Sequence, residues 1–326
     1  MLNRRRFLMS TAAAGAAGFV ATHLTPAFAQ DAPQIQIFVP AAPGGGWDQT
    51  GRTIDQVLRS EKLISGSQIT NVGGAGGTVG LPQFISQWKG KGNSLMVAGM
   101  VMVGAIIANK SANNLSEVTP IARLTGEFEA LVVPADSPFK TAGDFVAALK
   151  ADPTKVPVAG GSAGGSDHIL FGLIAKTVGV PATNLSYVPF AGGGEAAAAI
   201  IGGQVQIGIS GFGEFKGQID SGNMKALAIS ADAPLKAASS IPTLKSQGVD
   251  VTMVNWRLLA APPGISAGDL AALKDIAKKI HDGKTWKDFA EKNDWFDNFT
   301  TEGLLTFVQT ETQAITATLT DLGLVK

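Results

Sequence analysis

The sequence predicts an α/β protein with two mostly parallel sheets. Three observations predict it: short β-rich runs alternate with helical patterns, several runs end in glycine clusters, and the series starts afresh midway along the chain. Residues 35–40 read as a strand leading into Pro43-Gly44-Gly45-Gly46. Ile54, Val57 and Leu58 then stand at i, i+3, i+4, the spacing of one helix face. Residues 68–72 read as a second strand, ending in Gly73-Gly74-Ala75-Gly76-Gly77, and residues 95–98 as a third. Residues 130–133 open a new set. Residues 156–159 lead through a glycine-rich stretch into a helix carrying Ile169, Leu170, Leu173 and Ile174. Residues 186–190 lead through Gly192-Gly193-Gly194 into a helix over 195–201. Strands over 205–210, 224–230 and 251–254 follow. From Ala267 the chain is helical, with Leu270, Leu273, Ile276 and Ile280 on one side.

Two sheet sets in a chain of 326 residues argue for two domains. No Pro/Ser linker separates them, so the chain is expected to cross between them twice, through strand-like segments near 121–133 and 224–230. The expected division is 30–124 plus 231–326 for the first and 125–230 for the second.

Composition excludes several classes. Hydrophobic residues make up 45% of the chain and charged residues 16%, too apolar a mix for a disordered protein. Lys+Arg and Asp+Glu are equal at 26 each, with no basic run beyond the first six residues, which argues against a nucleic-acid surface. The absence of cysteine removes disulfides, thiolate metal ligands and cysteine nucleophiles. With three histidines and no carboxylates clustered at ligand spacing, no metal or cofactor is expected.

Residues 1–29 have the order of an export signal: Arg4-Arg5-Arg6, an apolar Ala/Gly-rich stretch over 9–20, and the small-x-small site Ala27-Phe28-Ala29. Arg4-Arg5-Arg6-Phe7-Leu8, in the order Arg-Arg-x-Phe-Leu, resembles a twin-arginine signal; an ordinary secretory signal is the alternative. Cleavage near Ala29 would remove three arginines and no acid, leaving 23 basic and 26 acidic side chains. The mature protein is expected to be soluble and extracytoplasmic.

In open α/β sheets ligands sit beyond the carboxyl ends of strands. Helix N-termini there offer free N–H groups and the positive end of the helix dipole, which suits anions. Three loops have this placement: Gly44-Gly45-Gly46-Trp47-Asp48, Ser162-Ala163-Gly164-Gly165-Ser166-Asp167-His168, and Gly192-Gly193-Gly194-Glu195. Glycine lets a ligand approach the backbone closely. Ser162, Ser166 and Asp48 can add hydrogen bonds or cap the helices. The competing reading of each loop alone is a tight turn with a cap. Trp47 reads equally as an apolar wall or as packing behind its loop. Asp167 reads as a cap or first-turn acid and His168 as a hydrogen-bond donor to the loop. Glu127 and Glu129, two apart on a strand, share one face and read as solvent-exposed. Beyond the signal only Arg52, Arg59, Arg123 and Arg257 remain, so no arginine clamp is advertised; Arg52, one turn after Asp48, is a possible helper.

Two patterns point elsewhere. Gly160-Gly161-Ser162-Ala163-Gly164 fits the hydrolase pattern G-x-S-x-G. Its histidine must come from farther along the chain, and His168 is only six residues on, while His281 stands among Lys278, Lys279 and Asp282. Gly192-x-Gly194-x-x-Ala197, with Glu214 twenty residues on, is a loose dinucleotide fingerprint without the usual βαβ unit around it.

Residues 42–48, 74–80, 161–168, 189–195 and 255–264, taken in order, resemble the tripartite tricarboxylate transporter substrate-binding proteins, the Bug family of periplasmic receptors. The resemblance spans about 35–326. It implies a two-lobed periplasmic binding protein of venus-flytrap, type II-like form, whose two β–α loops, one per lobe, hold a ligand carboxylate. Carried to this chain these are residues 43–48 and 162–168. The ligand site so expected comprises Gly44, Gly45, Gly46, Trp47, Asp48, Ser162, Ala163, Gly164, Gly165, Ser166, Asp167 and His168, with Gly193 and Gly194 from the third loop. The resemblance also implies a citrate-like di- or tricarboxylate ligand and delivery to the large and small integral subunits of a membrane permease, by a monomer without catalysis of its own. An exported hydrolase built on Ser162 is the rival class, and a ligand-presenting partner of a sensor kinase a third.

Overall fold

The computed structural model describes residues 33–325, so the expected export signal lies outside the described residues. β1 (Gln34–Val39) buries Ile35, Ile37, Phe38 and Val39. α1 (Gly46–Ser60) turns Ile54, Val57 and Leu58 inward, as their spacing predicts. β2 (Gly66–Asn71), α2 (Gly80–Gln87), β3 (Ser94–Gly99) and α3 (Met100–Ala108) follow. All six residues of β3 are buried, so it reads as a continuous apolar run without alternation. β4 (Thr119–Pro134) is 16 residues long, far longer than the short strand expected over 130–133. Next come α4 (Ala142–Ala151), β5 (Val158–Gly160), α5 (Ser166–Thr177), β6 (Tyr187–Pro189), α6 (Gly193–Ile201), β7 (Ile207–Gly211), α7 (Phe212–Asp220) and β8 (Met224–Ile229). β9 (Val254–Ala261), α8 (Ala267–Asp282), α9 (Lys284–Lys292) and α10 (Leu304–Asp321) complete the chain.

The nine strands form one hydrogen-bonded path, β2-β1-β3-β9-β4-β7-β5-β6, with β8 also paired to β4. The expectation of two separate sheets is corrected by β4. From Thr119 to Phe128 it pairs with β9, and from Glu129 to Pro134 with β7 and β8, so it joins two halves of a single sheet. Pairing is parallel within each half, in β1–β2, β1–β3, β5–β6 and β5–β7. The strands about the centre are antiparallel, so the sheet as a whole is mixed.

The middle of β4 is pinned by Ser230. Its Oγ accepts from Glu129 N–H at 2.9 Å and donates to Met253 O at 2.8 Å. The strand expected over 251–254 begins only at Val254 and runs to Ala261. Asn255 and Arg257 sit in this buried strand, and two polar side chains in an interior strand break the apolar run that would have marked it.

Candidate functional site

α1 follows β1 on one half of the sheet, while α5 and α6 follow β5 and β6 on the other, and the three N-termini converge on one cavity. In α1 the first N–H bonded within the helix is that of Gln49, to Gly45 O at 2.9 Å. In α5 it is that of Ile169, to Gly165 O at 3.0 Å. The preceding N–H groups, among them those of Gly46, Trp47 and Ser166, have no acceptor inside their helices. The cavity measures about 60 Å³. Gly45, Gly46 and Trp47 line it from the first loop, Ser162, Gly165, Ser166 and Asp167 from the second, and Gly193 from the third. Gly74, Gly76 and Gly77 close one side, where the Trp47 ring lies close against Gly77; Ser210, Glu214, Asn255 and Arg257 close the other.

The loops of the two halves meet through glycine. A Cβ on Gly194 would stand 3.1 Å from Gly44 O, and one on Gly192 would stand 3.5 Å from Gly45 Cα. A Cβ on Gly104, in α3, would overlap the carbonyl of Gly164, and Gly164 itself has φ +78. Side chains at these positions would hold the loops apart.

Six expected site residues stand behind or beside the cavity wall instead of in it. Asp48 is buried and accepts from Gly44 N–H and Arg52 Nε, both at 2.8 Å, and from Asn71 Nδ2 at 2.9 Å. Burial pushes its carboxyl up, but the Arg52 hydrogen bond, with those from Gly44 and Asn71, holds it below the ordinary value. Its task is to brace the first loop. Gly44 and Gly194 face each other, Gly164 packs on α3, and Ala163 is exposed. His168 corrects the expectation of a donor: its Nδ1 accepts from Gly164 N–H at 3.1 Å, and its ring stacks on Tyr187 at 4.2 Å. Burial pushes His168 down to about 4, so it is neutral at neutral pH.

Glu127 and Glu129 do share a face, but it is the buried one; their side of β4 lies under the cavity, and the two are 1% and 0% exposed. Glu127 pairs with Arg257, which is equally buried. Arg257 also donates to Gly46 O at 2.9 Å and to Thr50 Oγ1, and lies 4.7 Å from the Trp295 ring. Nη1 and Nη2 are therefore committed to protein groups and fix the start of α1 over β9, while the buried Nε has no partner. Asp167 accepts from Gly161 N–H at 2.5 Å and from Ser166 Oγ at 2.9 Å, and burial still raises it. Burial, reinforced by Asp167 and Glu127, raises Glu129 well above its ordinary value. Burial pushes Glu214 up to about 8, helped by Glu127 and Asp167 and opposed by Arg257. Glu214, Arg257, Asn255, Ser210 and Val101 are among the wall residues absent from the expected site. The dinucleotide pattern had touched Glu214, but for the wrong chemistry.

Neither histidine among the described residues is placed as a base for Ser162. His168 is held as above, and His281 bonds Asp282 and Asp297 at 3.0 and 3.1 Å. A second, larger cavity of about 740 Å³ is lined by Phe128, Trp286 and Trp295. Its wall carries Asp232, Glu291, Asp294 and Asp297 against Lys236 and Lys287, a balance that disfavours an anion.

Comparison with known proteins agrees with this geometry. Residues 52–324 match the tripartite tricarboxylate transporter family receptor. A protein of Cupriavidus necator named for the gbd 5' region is 26% identical over 300 residues, covering 90% of this chain and 89% of that one. The structure of the periplasmic binding protein BugD superposes with a TM-score of 0.80 at 20% identity, covering 90% of this chain and 99% of that one. MatC from Rhodopseudomonas palustris, with bound malate, superposes with a TM-score of 0.77 at 23% identity, covering 88% and 99%. The fold is thus the α/β fold of periplasmic binding proteins. The chain belongs to the tripartite tricarboxylate transporter receptors, a family of solute-binding proteins and not of enzymes.

Proposed function

We propose that this protein is a periplasmic receptor that captures a small dicarboxylate between two lobes and hands it to the integral subunits of a tripartite tricarboxylate-type permease. The observation that carries this reading is the convergence of three helix N-termini on one glycine-lined cavity. Each terminus contributes roughly half a positive charge; that of α6 already holds Glu214 at Gly193 N–H, so α1 and α5 together offer on the order of one to an anion. The lobes in this reading are residues 30–124 plus 231–326 and residues 125–230, with β4 and the segment about Ser230 as the crossings. The BugD and MatC folds, the family and the export-type N-terminus support a periplasmic location.

Size and charge support this ligand class. A buried water needs roughly 10–15 Å³, so a cavity of about 60 Å³ admits about four to six water-sized groups. That is less than either acid's bulk, and nearer to a four-carbon diacid, with nine non-hydrogen atoms, than to citrate, with thirteen. The malate bound to MatC points the same way.

A thermal-shift screen of malate, succinate and citrate, with a neutral diamide as control, tests the reading. A ligand at 100 times its dissociation constant adds about 2.7 kcal/mol of stability. Stabilisation by malate or succinate is the expected result. No stabilisation by any of the three acids would refute the ligand class, and citrate alone would refute the size argument.

A further inference from the structure

Glu214 presents a problem for any anion entering this cavity. It stands on α7 with its side chain in the cavity wall. Its Oε2 accepts from Gly193 N–H at 2.9 Å, at the start of α6, and its Oε1 lies 3.3 Å from Ser210 Oγ on β7. A Cβ on Gly46 would stand 2.9 Å from the same Oε1, so this carboxyl group sits between the N-termini of α1 and α6. A bound carboxylate would meet it there. The charged and titratable groups around it are Glu127 from β4, Asp167 from α5 and Arg257 from β9, with Glu129 and Tyr187 one step farther. The single cation among them is already paired with Glu127. An ionised Glu214 would therefore face the ligand's negative charge with no counterion of its own, whereas a protonated one offers a donor.

We propose that Glu214 is a specificity-determining residue that remains a neutral carboxylic acid and donates its proton in a hydrogen bond to the bound carboxylate. Oε2 stays engaged with Gly193 N–H, and Oε1 carries the proton toward the ligand. Capture is then linked to proton binding: where Glu214 is ionised in the free protein, the ligand enters together with a proton from solvent. An ester or amide in place of the ligand carboxylate accepts this bond less well, so the acid group also sorts carboxylates from their neutral derivatives. The burial-driven rise of Glu214 to about 8 places the linkage in the range of pH 7–9.5. This inference rests on the proposed carboxylate ligand and deepens it.

The test is titration calorimetry with malate and succinate as probes, from pH 6 to 9.5, in buffers of different ionisation enthalpy. Wild type is expected to bind with flat affinity below about pH 7 and to weaken by up to about tenfold per pH unit above 8, taking up close to one proton per ligand there. In Glu214→Gln, which keeps a donor but cannot ionise, that slope and that proton uptake disappear. A wild type that binds with no slope and no uptake up to pH 9.5 overturns the proposal, and so does a Glu214→Gln that keeps both. Carbon-13 NMR of the glutamate carboxyls in the ligand-free protein separates this outcome from failure of the ligand class. If neither probe binds, a Glu214 midpoint near 8 supports the neutral acid and discards only the ligands tried, and a midpoint near 4.5 overturns the proposal. The same NMR titration on wild type decides the matter if the variant does not fold.

Discussion

Gly46 shows how little room the site leaves at a single residue. A Cβ there would stand 2.6 Å from Arg257 Nη2 and 2.9 Å from Glu214 Oε1, both fixed by other partners. Gly46→Val is therefore expected to push the start of α1 out of place, cost about 1–3 kcal/mol of stability and weaken binding at least tenfold. Arg52→Ala is the contrast. The Arg52 side chain is 58% exposed, and its partner Asp48 keeps two other hydrogen bonds, so calorimetry should show a loss of about 1 kcal/mol or less. A large loss from Arg52→Ala with little from Gly46→Val would identify a cation clamp instead of a backbone cradle. Glu214 also links stability to pH. Its folded value is raised, so the folded state holds this proton where the unfolded chain has lost it. The stability it contributes is complete below about 4.5 and is lost as pH rises toward 8. Melting temperatures of the ligand-free protein should fall between pH 5 and 8, and fall less in Glu214→Gln. Equal slopes would show that Glu214 does not titrate there.

At the level of elements, α3 and the second loop meet where Gly104 packs against the Gly164 carbonyl. Gly104→Ala places a methyl group against the Gly164 carbonyl, and neither residue lines the cavity. The expected outcome is a melting temperature close to wild type with affinity reduced tenfold or more, because the substitution opposes closure and touches no ligand. An unchanged affinity would mean that this contact plays no part in closing the site. The same elements show what was legible in the sequence. The glycine loops and helix starts were visible because their signals are local: strand, glycine cluster and apolar i, i+3, i+4 spacing lie within some twenty residues. The fixing of those loops was not visible. Arg257 reaches Gly46 across 211 positions and Glu127 across 130, and neither pairing leaves a local pattern. Glu127 and Glu129 were placed on one strand face correctly and then turned to solvent, because period alone does not say which face is inside. The long antiparallel β4 was read as a short strand over 130–133 within a strand-like crossing from about 121, since Glu127 and Glu129 interrupt its apolar run.

Across the whole molecule, the chain from Pro33 onward forms one compact unit, with β4 shared between its two halves. No helix among the described residues is long and apolar enough to cross a membrane. Removal of residues 1–29 would leave more acidic than basic side chains, so the overall field does not gather an anionic ligand. Attraction has to be local, from helix termini that face the cavity, with burial raising the nearby acids Glu129, Asp167 and Glu214 above their ordinary values. A crystal structure of the protein with bound malate tests this most directly. The account predicts one ligand carboxylate within hydrogen-bond distance of N–H groups in the first turns of both α1 and α5, Gly46 or Trp47 on one side and Ser166 or Asp167 on the other, with Glu214 at its flank. Malate held by surface lysines, or lying in the larger cavity beside Trp286 and Trp295, with the first-turn N–H groups untouched, would contradict it.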